Sequence, residues 1–210
     1  MTVGVPDNGR ANAGAPSALN DADGTARDEN ESTVLVERCD ALAAGILARC
    51  RSRKVKIAAA ESLTGGLLAD AFVRVPGAST VFLGSAVTYD TAAKASMLHV
   101  DAGLLAREGA VHPEVARQMA QATAELYRQP HYDAVIGLST TGVAGPGPDG
   151  DKPAGLVYIG LAIPAAFSAS GRAQTIVREL HCHGSREEVR HQSVLSVLEN
   201  LSELTDNSQE

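Results

Sequence analysis

The chain has no tryptophan and only four tyrosines and three phenylalanines in 210 residues, so its core must be aliphatic, drawn largely from Ala, Val and Leu. The same shortage argues against binding single-stranded nucleic acid, which stacks its bases on aromatic side chains. A net charge of −7 points the same way, because non-specific binding to nucleic acid depends on cationic surface. Cysteine is scarce too. Cys39, Cys50 and Cys182 are far apart and outside any Cys-x-x-Cys spacing, which suits a reducing cytoplasm and gives no metal-binding pattern. His181 and His183 flank Cys182, but alternation along an extended stretch puts the two histidines on one face and the cysteine on the other, as at a solvated strand end. No run is long and apolar enough to cross a bilayer. The N-terminal segment also lacks the apolar core of a signal peptide and the arginines of a transit peptide. The expectation is therefore no metal, no cofactor, no membrane and no nucleic-acid partner.

Several familiar motifs are missing as well. There is no GxGxxG for a dinucleotide, and TGVAGPGPDGDK lacks the GKS or GKT ending of a Walker loop. A Ser-x-x-Lys nucleophile would need lysine at position 65, where Gly65 stands; the Tyr-x-x-x-Lys of short-chain dehydrogenases would need it at 93, where Ala93 stands.

What is present divides into a polar tail and a patterned domain. Residues 1–31 hold six of the 25 acids (Asp7, Asp21, Asp23, Asp28, Glu29, Glu31) but only Arg10 and Arg27 of the 18 cations, and read as a disordered acidic tail. Residues 32–205 form the expected folded domain, with 206–210 a disordered C-terminus. A domain of this size buries about 70% of its unfolded surface.

Ser32 or Thr33 can cap a helix whose stripe is Leu35, Cys39, Leu42, Ala43, Ile46 and Leu47. Arg49, Arg51, Arg53, Lys54 and Lys56 suit that helix's C-terminus and the loop beyond it. Strands are expected at 57–60, 81–87, 134–139, 156–163 and 175–180, the last two as a hairpin. Helices are expected after the first strand, in short turns over 90–106, and over 113–128 with Pro113 in its first turn. A closing helix is capped by Ser185, with Glu188 in the capping-box position. Strands alternating with helices before a hairpin define a three-layer α/β/α domain around a mixed, mostly parallel sheet. Ligands of such sheets gather at the carboxyl ends of the parallel strands, where Ser62, Tyr89 and Thr140-Thr141 fall.

The richest stretch is AAAESLTGGLLADAF, residues 58–72, a buried strand that breaks at hydroxyl residues and re-enters as a helix. Such a turn offers unpaired N–H groups and the positive end of a helix dipole, and Gly65 and Gly66 admit another molecule close to the backbone. The same residues would also make an ordinary strand-to-helix turn with Ser or Thr as its cap. A serine becomes a useful nucleophile only when something takes its proton, and no histidine stands in these motifs. Lys94 can do so if burial lowers its pKa from about 10.4, with Tyr89 relaying the proton or holding the amine. On spacing alone, a rim aromatic and a surface helix lysine is the more ordinary reading of Tyr89 and Lys94.

AESLTGG, VPGASTVFLGSAVTYDTAAK, GAVHPEVARQMA, TTGVAGPGPDGDKPAGLVYIGLA and GSREEVR occur in an order and spacing that resembles the CinA (competence-damage-inducible) C-terminal domain family over residues 35–203. The resemblance implies a nicotinamide-nucleotide amidase, hydrolysing the carboxamide of nicotinamide mononucleotide to nicotinate mononucleotide and ammonia in pyridine-nucleotide salvage. It assigns Ser62, Tyr89 and Lys94 to catalysis. It places Thr141, with Gly142 and Gly145 of the same motif, against the substrate, beside Thr64, Gly65 and Gly66 of the serine turn, whose N–H groups are expected to hold the oxyanion. Arg186, at the start of a helix, fits either a phosphate contact there or a helix-surface ion pair. Leu63 stands where Cys is common in the family motif, and His112 where Ser is common. What precedes residue 32 is too short and polar for the molybdopterin-binding-like domain of longer members, so a stand-alone, homo-oligomeric cytoplasmic amidase is expected. The rival reading is a non-catalytic nucleotide-binding or partner-binding protein that keeps the same cleft.

Overall fold

The computed structural model describes residues 21–168 and 171–206, with side chains described from residue 33. Five strands, β1 (Val55–Glu61), β2 (Phe82–Val87), β3 (Ala134–Gly142), β4 (Leu156–Ile163) and β5 (Gln174–His181), form one sheet in the order β2-β1-β3-β4-β5. β1 runs parallel to both β2 and β3, while β4 is antiparallel to β3 and to β5. The sheet is thus mixed as expected, with β4 the one strand of the five that runs against the rest.

Strand alternation decides what lies on each face. Ile57 and Ala59 of β1 join a core with α1 (Asp21–Ser52), α2 (Leu67–Val73) and the closing helix. Ala60 and Ala86 face the opposite core, built with α3 (Thr91–Leu98), α4 (Ala102–Glu108) and α5 (Pro113–Leu126). α6 (Arg186–Asp206) packs beside α1 and carries the expected capping box: the Ser185 N–H donates to the Glu188 carboxylate, and the Glu188 N–H to Ser185 Oγ. α5 lies close on the sheet because Gly137 has no side chain there; a Cβ at that position would stand 1.9 Å from the Ala120 carbonyl oxygen. Ser139 Oγ and Thr123 Oγ1 then donate across that contact to the carbonyls of Ala116 and Ala59.

The largest differences from the expected boundaries are two. Among the described residues α1 already runs from Asp21, so residues 21–31 of the expected tail are helical. The rest of that tail, 1–20, and residues 207–210 lie outside the described residues. β3 runs on through Thr140, Thr141 and Gly142, because β4 folds back against it and supplies ladder partners as far as Val157.

The basic cluster is tied into the structure. Arg49 bonds Ser202 and Thr205 of α6, Arg51 and Lys56 reach the Thr80 region, and Arg53 lies over the Phe167 ring. Cys182 is buried between exposed His181 and His183, the alternation expected of a strand end. Among the described residues no helix is long and apolar enough to cross a membrane.

Candidate active site

Ser62 directly follows the last residue of β1, and its N–H donates to the Thr140 carbonyl at 3.1 Å, carrying the β1–β3 ladder one step past the strand. The chain then turns, with Gly65 and Gly66 at φ 55° and 104°, and enters α2. Ser62 is nearly buried at 8% exposure, and Lys94 is completely buried. The Lys94 Nζ lies 3.0 Å from Ser62 Oγ and donates to the Thr88 carbonyl at 2.5 Å. Lys94 is brought there by the first turn of α3, which Asp90 caps by accepting from the Ala93 N–H. Burial lowers the Lys94 pKa to about 8, with Asp90 acting in the opposite sense. A lysine that shares its proton with a serine, with only weak charge compensation, is a base in waiting.

Both side chains open on a cavity of about 280 Å³. Thr141, Gly142, Gly145 and Arg186 line it, as expected from their motifs. The Thr141 hydroxyl donates to the Ala110 carbonyl at 2.7 Å, joining the end of β3 to the loop between α4 and α5. Arg186 spans the rim, donating from Nη1 to the Gly145 carbonyl and from Nη2 to the Tyr89 hydroxyl, both at 2.7 Å.

Three expectations need correction. Tyr89 does not stand between Ser62 and Lys94: the residue is 61% exposed and its hydroxyl is bound to Arg186, because it lies beyond the end of β2, on the cavity's rim. Thr64, Gly65 and Gly66 do not line the cavity. The N–H groups of Gly65 and Gly66 are also not free for an oxyanion, since Gly65 donates to the Ser62 carbonyl and Gly66 to Glu61.

Glu61 is one residue that sequence reasoning missed. Its fully buried carboxylate accepts from the N–H groups of Gly66, Leu68 and Ala69 and from the hydroxyls of Thr64 and Ser85, at 2.8 to 3.1 Å. The positive end of α2 is therefore filled by the protein's own anion. Thr64 Oγ1 lies a further 2.8 Å from Thr140 Oγ1, linking the cluster to β3. A signal was present: alternation puts Glu61 on the face of Ile57 and Ala59, under α2. Arg190 was missed as well; it donates to the carbonyls of Leu63 and Thr64, and its position one helical turn after Arg186 was the clue.

An α/β/α domain with a buried serine–lysine pair at the carboxyl end of its first strand is the class these features define. The family model for the CinA C-terminal domain matches residues 39–205. The chain belongs to that family. A CinA-like protein of Frankia casuarinae is 43% identical over 160 residues, covering 76% of this chain and 34% of that protein. The chain thus spans about a third of that curated relative. The competence/damage inducible protein CihA of Agrobacterium tumefaciens superposes with a TM-score of 0.70 at 31% identity, covering 80% of this chain and 95% of that one. The competence damage-inducible protein A (ComA) of Klebsiella pneumoniae gives 0.69 at 28% identity, covering 79% and 95%.

Proposed function

We propose that this protein is an amidohydrolase that converts nicotinamide mononucleotide to nicotinate mononucleotide and ammonia. The observation that carries the reading is the 3.0 Å contact between Ser62 Oγ and a buried Lys94 amine whose pKa is lowered to about 8. Once neutral, that amine accepts the hydroxyl proton as Ser62 Oγ bonds to the carboxamide carbon. The tetrahedral oxyanion needs a donor other than Gly65 and Gly66. The Leu63 N–H, in the peptide unit that follows Ser62, makes no hydrogen bond among the described residues, and Leu63 lines the cavity. Collapse breaks the C–N bond, and the Lys94 ammonium returns its proton to the leaving nitrogen, which departs as ammonia. A water then attacks the ester, gives its proton to Lys94, and displaces Ser62 Oγ, which takes the proton back; the carboxylate product leaves.

At the rim, Arg186 offers a guanidinium beside the cavity, suited to the phosphate of a mononucleotide. Three free, buried cysteines fit a cytoplasmic location, since none is held in a disulfide. The test is ammonia release from nicotinamide mononucleotide by the purified chain and by Ser62→Ala. We expect turnover by the parent and a loss of at least about a thousandfold in a folded mutant. No ammonia from the parent, or near-normal release by Ser62→Ala, would overturn the reading.

A further inference from the structure

We propose that Arg190 is a positioning residue for Ser62, gripping the turn that carries it from the side opposite the buried Glu61 carboxylate; this rests on the amidase reading above. Neither residue lines the cavity, so neither touches the reacting atoms. Their partners divide by type. Glu61 takes N–H and hydroxyl donors of the turn, of α2 and of β2. Arg190, with 22% of its side chain exposed, takes the acceptors: Nε donates to the Leu63 carbonyl at 3.1 Å and Nη2 to the Thr64 carbonyl at 2.9 Å, while Nη1 is steadied by Glu187 at 2.6 Å.

The turn is therefore bound on its carbonyl side to α6 and on its amide side to a buried carboxylate. A planar guanidinium meets two carbonyls with a geometry that an ammonium cannot reproduce. The consequence is chemical as well as structural, because Ser62 Oγ sits 3.0 Å from Lys94 and any slack in the turn breaks that contact. Displacements of about 1 Å at a reacting centre cost on the order of a hundredfold in rate. Arg186 and Arg190, four residues apart on α6, thereby let one helix face set both the cavity rim and the nucleophile.

The experiment compares the full chain with Arg190→Ala and Arg190→Lys. It measures kcat and KM for nicotinamide mononucleotide, the pH dependence, the rate at which a fluorophosphonate probe labels Ser62, and the melting temperature. For Arg190→Ala, kcat and the labelling rate should fall together by about ten- to a hundredfold, with KM within about threefold and the pH midpoint unmoved. Arg190→Lys, which keeps the charge and loses the fork, should fall by a smaller factor in both rates; it decides the matter by the same criteria if the alanine variant does not fold. Rates within about twofold of the parent, a defect confined to KM, or a defect that disappears at a temperature where the variant is fully folded would overturn the proposal. A parent that is labelled at Ser62 yet releases no ammonia sinks the amidase reading instead, and the labelling rates alone then judge Arg190.

Discussion

Lys94 carries the chemistry because it is buried at a cost. Burial of its ammonium, only partly offset by the Asp90 carboxylate, disfavours the folded state, and that cost appears as the lowered pKa. Two outcomes follow. Turnover should rise with pH through about 8 and then level off, because only the neutral amine can take the serine proton; a flat profile between pH 6 and 9 would count against Lys94 as the base. In stability the sign is opposite to that of a lysine in a salt bridge: the unfolded chain binds the extra proton between about 8 and 10.5, so folding stability grows with pH across that window. Lys94→Met should abolish turnover, raise the melting temperature by a few degrees at pH 7 and remove that pH-dependent gain, all readable by calorimetry. Lys94→Arg keeps a charge that cannot be given up and should lose about a hundred- to ten-thousandfold in turnover. Tyr89→Phe is expected to behave differently. Its hydroxyl touches Arg186 and not the amine, so KM should rise by a few-fold while kcat is largely kept, as steady-state kinetics would show.

At the scale of elements, the parts legible in the sequence are those set by neighbours along the chain. The apolar run before Ser62, the helical spacing after Gly66 and the Ser185 capping box each declare themselves locally, and each is found. What was not legible depends on closure of the sheet. Tyr89 meets Arg186 across 97 residues, and the Glu61 cluster needs Ser85 from β2 and Thr140 from β3 to be complete. The glycines of the turn were read as room for a ligand; instead their freedom serves the backbone itself. Gly65 has φ 55°, and a Cβ there would stand 3.6 Å from Arg190 Nη2. A Cβ at that distance is in ordinary contact, so Gly65→Ala should cost about 1–2 kcal/mol in stability from left-handed strain alone, and should lower kcat by about tenfold as the turn that carries Ser62 relaxes that strain. Denaturant unfolding alongside kinetics checks both; a loss of stability with unchanged kcat would uncouple the turn's strain from the nucleophile.

The whole molecule assembles its cleft from far ends of the chain: Ser62 after β1, Lys94 on α3, Thr141 on β3, and Arg186 at the start of the last helix. That helix is also structural, burying Val189, Val194, Val197, Leu198 and Leu201 in the core shared with α1. Each such side chain contributes about 1.5–3 kcal/mol when fully buried. Together they match the roughly 5–15 kcal/mol that holds a domain of this kind folded. A chain ending after Gly184 should consequently not fold, and should lack a cooperative melting transition as well as activity. Removal of residues 1–20 should act oppositely. Among the described residues, every residue of the cavity lies from Ser62 onward and the first buried apolar side chain is Cys39. A chain starting at Asp21 should keep its melting temperature within about 2 °C, which is under about 1 kcal/mol for a domain of this size, and its turnover unchanged. A larger drop in either quantity would mean that the first twenty residues pack on the domain or reach its site.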